Sequence, residues 1–282
     1  MKARRWLAFL GSLLLGLWGG EVEGAWAVTV RVQLADTTTP LVVGVSLPAR
    51  LTNGRGEVLA DLPPLRGFWA RPSRRGVHLH EAVSPVLFIE PPEGGLVAVN
   101  GRWYSGKVLL MGYNRVQAIN YVHLEDYVAS VVEAEMGARF LPEALKAQAV
   151  AARTYVLYHR NSRRWFDVFS DTRSQVYRGL SQRSAAALEA TRATRGVVLV
   201  YGGKFVNAMY SASAGSRTVG VDGIPYLQSL PDFSPYPKFG HGIGMSQWGA
   251  QELARRGWSY RQILAYYYPG VRLARLPDQD VP

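Results

Sequence analysis

Apolar and polar residues alternate along most of residues 28–120 with the two-residue period of a half-buried β-strand. The β-branched and aromatic segments are VTVRVQL, LVVGVSL, VLFIE, LVAVNGRWYSGKVLLM and VQAINYV. Gly, Pro and Asn residues separate them, and the pair Asn53-Gly54 is typical of a hairpin turn. Residues 61–76 are rich in Pro, Gly and Arg and are predicted to form a loop. The pattern therefore predicts a β-rich amino-terminal part.

The period becomes helical at residue 124. Positions i, i+4, i+7, i+8 and i+11 hold Leu124, Val128, Val131, Val132 and Glu135. This spacing places their side chains on one face of a helix. A second helix is predicted to begin at Pro142, because proline is favoured in the first helical turn, and to run to about His159.

Capping and stop signals delimit the elements that follow. A helix over about 182–195 ends before Gly196, and a hairpin follows around Gly202-Gly203. Ser246 caps a helix over 247–256, and the capping box of Ser259 and Gln262 begins a last helix. Strands followed by helices mixed with a hairpin indicate an α+β fold rather than an alternating α/β fold.

Residues 1–27 have the features of a secretory signal peptide. Basic residues precede the uncharged run WLAFLGSLLLGLW, which is shorter than the ~20 residues that span a bilayer. The small-residue motif AWA at 25–27 follows as a cleavage signal. We therefore expect an exported protein of the cell wall, periplasm or extracellular space. The alternative is an uncleaved leader, which would then provide the protein's only membrane contact.

The charge of the chain indicates an anionic partner outside the cytoplasm. The net charge is +11, and the leader holds three of the cations and two of the anions, so the rest of the chain carries +10. Cell-wall polymers fit this charge, and a solvated basic surface is the alternative. The arginines are dispersed, so nucleic acid is not an expected partner. The chain has no cysteine, which excludes disulfides and thiolate metal ligands.

Two glutamates in the first helix differ in the face on which they lie. Glu133 and Glu135 point ~200° apart at 100° per residue. Glu135 completes the apolar stripe, where lost hydration raises the pKa of a carboxyl and favours the neutral acid. Glu133 is predicted to be a solvated surface anion. The helical pattern alone leaves open that Glu135 is structural and pairs with Arg139 or Arg153.

Other types of catalytic site receive little support from the residues. GMSQWG does not match the Gly-x-Ser-x-Gly elbow of serine hydrolases. His78 and His80 share a strand face, but two histidines without a third ligand are more often surface residues than metal ligands. We therefore expect no metal and no cofactor.

Several blocks in the same order resemble the SpoIID family, the group of stage II sporulation protein D and amidase enhancers. These blocks are NYVHLEDYVASVVEAEMGARFLPEALKAQAVAARTYVL, SDTRSQVYRG, ATRGVVLVYGGKFVNAMYSASAGSRT, PYLQSL and GHGIGMSQWGAQELARRGWSYRQILAYYYPGVRL. The similarity covers about 100–275. It implies a β-rich region over 28–105 and a SpoIID-like domain over 106–282.

The resemblance implies a lytic transglycosylase that cuts peptidoglycan glycan strands between N-acetylmuramic acid and N-acetylglucosamine. Its catalytic acid would be the glutamate of AEM, which is Glu135 here. The residues expected to bind substrate are Gln148, Arg153, Tyr177, Tyr210, Ser211, Ser213, Ser216, His241 and Gln247. Some family members place a zinc-binding cysteine where this chain has Ser174, so the resemblance implies no zinc here.

The resemblance leaves a second function open. Amidase enhancers bind peptidoglycan and stimulate a separate cell-wall amidase without cutting glycans. The stretch 228–240 is also shorter than in many relatives, where it helps to form the substrate cleft. An enzyme that acts only on glycan already stripped of peptides is a further alternative.

Overall fold

The computed structural model describes residues 28–180 and 184–276. The predicted leader therefore lies outside the described residues, as do positions 182–183 of the predicted third helix. The amino-terminal strands are β1 (Thr29–Thr37), β2 (Leu41–Val45), β3 (Ala49–Asn53), β4 (Val58–Leu62), β5 (Phe68–Ser73), β6 (Gly76–Leu79), β7 (Ala82–Ser84), β8 (Val86–Glu90), β9 (Leu96–Val99), β10 (Arg102–Ser105), β11 (Lys107–Met111) and β12 (Val116–His123).

Five helices and six short strands follow in the described part of the chain. They are α1 (Leu124–Glu135), α2 (Pro142–Tyr158), β13 (Val168–Phe169), α3 (Ala185–Ala193), β14 (Val197–Tyr201), β15 (Lys204–Phe205), β16 (Tyr210–Ser211), β17 (Met245–Ser246), α4 (Gln247–Arg255), α5 (Tyr260–Tyr267) and β18 (Arg272–Arg275). The predicted α+β fold is confirmed.

The described strands of the amino-terminal part form two sheets. One sheet has the order β13-β1-β12-β11-β8-β3-β4, and the other has the order β10-β9-β2-β5-β6-β7. Alternate residues of each strand point into the core, so that Val30 and Val32 of β1 are fully buried while Arg31 between them is not. The alternating pattern of the sequence thus identifies the buried face of β1 correctly.

Two local predictions in this part need correction. β4 extends to Leu62, and β5 and β6 cover 68–73 and 76–79, so only 63–67 and 74–75 of the predicted loop over 61–76 lack strand structure. The hairpin at Asn53 exists, but the Asn53 side chain accepts the N–H groups of Arg55 and Glu57, and the left-handed residue is Gly56. The loop is therefore longer than a two-residue turn.

The first sheet continues past residue 105. β11 pairs with both β8 and β12, and β12 pairs with β1. The boundary predicted between 105 and 106 therefore falls inside a continuous sheet. Because β12 runs directly into α1 at Leu124, the sheet fixes where this helix begins.

Helix α2 is the centre of the carboxy-terminal part. It contacts α1, α3, α4, α5 and β14, and its alanine-rich sequence lets these elements approach closely. Pro142 is in the first turn, as predicted, and the helix ends at Tyr158, one residue before the predicted His159. The Thr154 hydroxyl accepts the N–H of Leu199 at 2.9 Å, which joins α2 to β14.

A buried ion pair joins α1, α2 and β14. The guanidinium of Arg153, which is fully buried, donates to both carboxylate oxygens of Glu125 at 2.8 and 2.5 Å, and to the carbonyl of Val197 at 3.1 Å. Glu125 also accepts the N–H of Gly196 at 3.2 Å. Most of the polar atoms of this pair are therefore satisfied inside the protein.

We expect Arg153→Met to lower the free energy of unfolding by about 3–5 kcal/mol, because it leaves the Glu125 carboxylate partly buried without its partner. Chemical denaturation would measure the loss. Arg173→Met is the matched control, since Arg173 pairs with Asp171 at the surface and its loss should leave the unfolding midpoint unchanged. An Arg153→Met protein as stable as the wild type would contradict this role of the ion pair.

Candidate active site

Glu135 is the last residue of α1, and its carboxyl group is partly buried. The N–H of Val176 donates to its Oε1 at 2.8 Å. Two residues further, the N–H of Arg178 donates to the hydroxyl of Ser130 at 3.3 Å. The segment 175–178 therefore lies alongside α1 and covers the carboxyl group.

Burial raises the pKa of Glu135 above the 4.5 of a free glutamate, and burial is the largest influence on it. Four groups oppose this effect because they stabilise the carboxylate: the N–H of Val176, the side chains of Gln247 and Tyr210, and the positive charge of Arg178. The carboxyl group is therefore held as a neutral acid to higher pH than usual, next to donors that can stabilise its anion.

A chain of hydrogen bonds orients the Tyr210 hydroxyl toward Glu135. The hydroxyl of buried Tyr127 donates to Oε1 of Gln175 at 2.9 Å, which turns the amide nitrogen of Gln175 toward Tyr210. This nitrogen donates to the Tyr210 oxygen at 2.8 Å and to the carbonyl of Ala152 at 3.4 Å. Since the Tyr210 oxygen already accepts a hydrogen bond from Gln175, the hydroxyl can donate its own hydrogen to Glu135.

A short parallel strand pair brings Tyr210 and Gln247 to the same carboxyl group. Tyr210 of β16 pairs with Met245 of β17, and Gln247 begins α4 directly after this strand. Gly244 must be glycine, because its φ is +71° and a Cβ atom would lie 2.0 Å from the Met209 carbonyl oxygen. The glycine-rich loop thus permits the close approach that assembles the site.

Gln148 lies behind Gln247 in the protein interior. The Gln247 amide nitrogen donates to Oε1 of Gln148 at 3.5 Å, and both side chains are buried. Nε2 of Gln148 has no hydrogen-bond partner among the described residues. Gln148 therefore contacts the site through Gln247 and helps to fix the orientation of that amide.

His241 belongs to the loop that borders the site, and Ser211 of β16 bonds to the same loop. Nδ1 of His241 accepts the N–H of Ile243 at 2.9 Å, and its ring also bonds to the backbone of Tyr210. Partial burial of the ring lowers the pKa of His241, against the effect of the Tyr210 bond. The Ser211 hydroxyl accepts the N–H of Gly242 at 3.2 Å, so this serine holds the loop in place.

Comparison with known proteins indicates similarity to one family. Residues 112–201 match the family model SpoIID, described as Stage II sporulation protein. Stage II sporulation protein D of Bacillus subtilis is 23% identical over 56% of this chain and 76% of its own length. An uncharacterized protein of Brachyspira hyodysenteriae is 26% identical over 86% of this chain and 92% of its own length.

The chain is thus similar to the SpoIID family over about a third of its length. The Amidase enhancer of Bacillus subtilis is a further relative, 37% identical over 42% of this chain but only 16% of its own length. The region that matches the SpoIID family model contains Glu135, Gln148, Arg153 and Tyr177, and it ends before Tyr210 and Gln247. The structure brings residues from both sides of this limit to the same carboxyl group.

Four of the predicted binding residues are not among the groups that act on the Glu135 carboxyl group. Arg153 is buried in its ion pair with Glu125, and Tyr177 is buried with its hydroxyl donating to Asn120 at 2.7 Å. Ser213 donates to the carbonyl of Tyr236 at 3.0 Å, and Ser216 is exposed on the surface. Arg153 and Tyr177 thus have structural contacts that leave no surface for a sugar.

The prediction for Glu133 was wrong. Its carboxylate is partly buried and accepts both the N–H and the hydroxyl of Ser184, the residue that caps α3. Glu133 is therefore a bonded residue that holds α3 against α1 rather than a solvated anion. Within the described residues neither Arg139 nor Arg153 forms an ion pair with Glu135.

Three residues next to Tyr177 were missed by the sequence reasoning. Gln175, the N–H of Val176 and Arg178 all act on the carboxyl group of Glu135 or on its partner Tyr210. The block SQVYRG was the available signal, but it drew attention only to its aromatic residue.

The Ser174 side chain is bonded within the protein. The Ser174 hydroxyl accepts the N–H of Phe169 at 3.1 Å and also bonds to Tyr155. In residues 28–180 and 184–276, no three His, Cys, Asp or Glu side chains are grouped so that they could hold a metal ion.

No helix in residues 28–180 and 184–276 is long and apolar enough to cross a bilayer.

The raised pKa of Glu135 predicts a pH-dependent effect of Glu135→Gln on stability. The folded protein holds this proton more tightly than the unfolded chain, so the stability it contributes is complete below about pH 4.5 and is lost as the pH rises through the folded pKa. The amide does not titrate. We therefore expect the melting temperature of Glu135→Gln, relative to the wild type, to increase from about pH 4 to pH 7.

Asp171→Asn is a control for this measurement. The Arg173 guanidinium lowers the pKa of Asp171, so the stability that Asp171 contributes is present above about pH 4 and is lost only at lower pH, and the difference between this variant and the wild type should stay nearly constant from pH 4 to pH 7. Because this pair is exposed, the change should be small. A difference for Glu135→Gln that stays constant or decreases with pH would show that Glu135 is not held as a neutral acid.

Proposed function

We propose that this protein is an exported lytic transglycosylase that cleaves peptidoglycan glycan strands, with Glu135 as its acid and base. Similarity to the SpoIID family is consistent with a cell-wall related role. The observation that carries the finer proposal is the environment of Glu135. Among the described residues, the groups that set its pKa are an amide N–H, a side-chain amide, a phenol and a guanidinium, and none is a second carboxylate.

A single carboxyl group suits this reaction better than hydrolysis. Glycoside hydrolases generally use two carboxyl groups, one as acid and one as base or nucleophile. In the proposed reaction neutral Glu135 donates its proton to the glycosidic oxygen, and the bond from C1 of N-acetylmuramic acid to that oxygen breaks. The 6-hydroxyl oxygen of the same sugar bonds to C1, and its proton passes to Glu135. The 1,6-anhydro product forms without water, and the acid is regenerated.

The hydrogen-bond donors around Glu135 have a defined part in this cycle. After the first proton transfer the carboxylate is stabilised by the Tyr210 hydroxyl, the Gln247 amide and the N–H of Val176. The same donors limit how far burial raises the pKa, so the group can return to its protonated form by accepting the proton of the 6-hydroxyl. Arg178 lies at the surface, where its charge can also attract an anionic group of the substrate.

A row of three aromatic rings offers a surface for sugar rings next to the site. The ring centroids of Phe140 and Trp248 are 4.6 Å apart, and those of Tyr236 and Trp248 are 4.7 Å apart in an edge-to-face arrangement. Trp248 follows Gln247 in α4, and the Leu141 N–H donates to Gln251 of the same helix at 2.8 Å. Tyr236 comes from the short stretch 228–240, so this stretch still contributes to the proposed substrate surface.

A second candidate function is stimulation of a cell-wall amidase. The similarity to the Amidase enhancer favours it, because the matching stretch has the highest identity of the relatives described above. Such a protein would bind peptidoglycan and a partner amidase without cutting glycans. The product analysis below distinguishes the two functions.

We also propose that the chain is exported, as its leader suggests, and that its net charge, +11 with the leader and +10 without it, helps it to bind anionic wall polymers. If the leader is cleaved after AWA, the exported protein should begin at Val28. Amino-terminal sequencing of protein recovered from outside the cell would test this. Recovery of protein that still begins at Met1 would mean that the leader is retained.

Glu135→Gln should abolish the lytic activity while the protein remains folded. General acid–base catalysis contributes typically ~10²–10⁴-fold, so we expect turnover to fall by at least 100-fold. Purified walls would be digested, and the released fragments identified by mass spectrometry. Binding to walls should persist, since the amide keeps the shape of the side chain.

Glu133→Gln is the matched control on the same helix. Its amide oxygen can still accept from Ser184, so the variant should keep its activity and most of its stability. A folded Glu135→Gln protein with full lytic activity would refute the assignment. An amidase enhancer would release no glycan fragments and would stimulate its amidase equally well with Glu135→Gln.

A further inference from the structure

The second sheet, β10-β9-β2-β5-β6-β7, has basic but no acidic residues in its strands. In the first sheet, by contrast, Asp36, Asp61 and Glu90 lie on β1, β4 and β8. Between residues 63 and 79 the chain has four arginines and no Asp or Glu. This part includes most of the Pro-, Gly- and Arg-rich stretch 61–76, to which the proposed reaction gives no role. An anion that approaches it is therefore attracted without meeting a carboxylate of the strands.

Strand β5 presents an indole ring and a guanidinium group on its outer side. Trp69 and Arg71 are exposed, while Ala70 between them is buried, so both side chains point away from the core. Trp69 has 51% of its surface exposed, and the Arg71 guanidinium lies 5.9 Å from the centre of its ring. Arg74 and Arg75 follow in the exposed turn to β6. None of these three arginines forms an ion pair within the described residues, so their charges are open to a ligand.

A second indole lies on the same face of this sheet. Trp103 of β10 is the cross-strand neighbour of Ala98 on β9, and Ala98 is the neighbour of Gly44 on β2. Trp103 is partly exposed while Tyr104 after it is buried, so the indole lies on the outer side. Three strand spacings of about 4.8 Å separate β10 from β5, which gives about 14 Å. Small residues therefore lie between two indoles, Trp103 and Trp69.

The edge strand of this sheet is bonded to the segment that covers the catalytic carboxyl group. The N–H of Leu180 donates to the carbonyl of Trp103 at 2.8 Å, and the N–H of Val176 donates to Glu135. Gly179 permits this approach, because a Cβ atom there would lie 2.2 Å from the Trp103 carbonyl oxygen. The four residues from Val176 to Leu180 span at most about 14 Å. The outer face of the sheet therefore begins close to the proposed site of cleavage.

Indole rings and guanidinium groups on one flat face fit a chain of sugars that also carries negative charge. An indole packs against the C–H face of a pyranose ring, and a guanidinium binds a carboxylate through two parallel hydrogen bonds. A glycan strand without stem peptides presents both groups, because each muramyl sugar then ends in a free lactyl carboxylate. A polyol phosphate would leave the indoles without rings to pack against. The proximity of the catalytic carboxyl group favours the glycan over a lipid surface.

We propose that the outer face of β2, β5, β9 and β10 is a second binding surface for the glycan strand, outside the catalytic site. Sugar rings pack on Trp69 and Trp103, and a lactyl carboxylate binds Arg71. The proposal rests on the proposed function, since it takes the same polymer as its ligand. It assigns the charge-dependent part of wall binding to one defined face of the protein.

Isothermal titration calorimetry with soluble, peptide-free glycan strands tests this surface. The Glu135→Gln protein is used as the parent, so that the strands stay intact. We expect the affinity to fall about tenfold in Trp69→Ala, as for loss of an aromatic packing surface, and about fivefold in Arg71→Gln, as for an exposed charge pair. The matched controls Trp165→Ala and Arg55→Gln change exposed residues outside the face and should bind like the parent. Circular dichroism of each variant shows that it is folded.

A second probe is the same strands with their carboxylates amidated, which should bind the parent about fivefold more weakly and should bind Arg71→Gln no worse than the parent. The proposal is overturned if the acidic strands do not bind, if Trp69→Ala and Arg71→Gln bind them as the parent does, or if amidation changes nothing. It is also overturned if the two residues are needed only for binding to vesicles of anionic phospholipid. Strands that bind through Trp69 and Arg71 to a protein whose wild type does not cut walls would refute the lytic mechanism and leave this surface in place.

Discussion

The burial of one carboxyl group under the segment 175–178 is the constraint on which the proposed chemistry depends. Glu135 ends a helix that begins where β12 ends, so the amino-terminal sheet fixes its position. The covering segment is bonded to the same helix at Val176 and Arg178. Burial raises the pKa of Glu135, and the donors around it keep the anion accessible. A group with both properties can act as an acid and then as a base.

Glu125 is another partly buried carboxylate of α1, and comparing its partners with those of Glu135 explains why Glu135 is better suited to proton transfer. Glu125 forms two hydrogen bonds to the guanidinium of Arg153, which cannot give up its charge. Glu135 has neutral partners in Tyr210 and Gln247, with Arg178 acting at longer range. The fully paired glutamate stabilises the fold, whereas the one with neutral donors keeps its proton and can exchange it.

Much of this arrangement follows from local sequence, and the rest depends on contacts between distant segments. The helical stripe separated Glu135 from Glu133, and the signals at Pro142, Ser246 and Ser259 located three helix starts. The role of Gln175 could not be predicted in this way, because it depends on Tyr127 and Tyr210 from other elements. The burial of Tyr177 and the binding of Glu133 by Ser184 are likewise long-range contacts.

The central claim is that Glu135 transfers a proton within the substrate and that water takes no part. Digestion of purified walls in water enriched in ¹⁸O, followed by mass spectrometry of the new glycan ends, tests it most directly. The account predicts anhydro-muramyl ends that contain no heavy oxygen, and no such ends with Glu135→Gln. Reducing ends that contain one ¹⁸O atom, or unchanged release of fragments by Glu135→Gln, would contradict it.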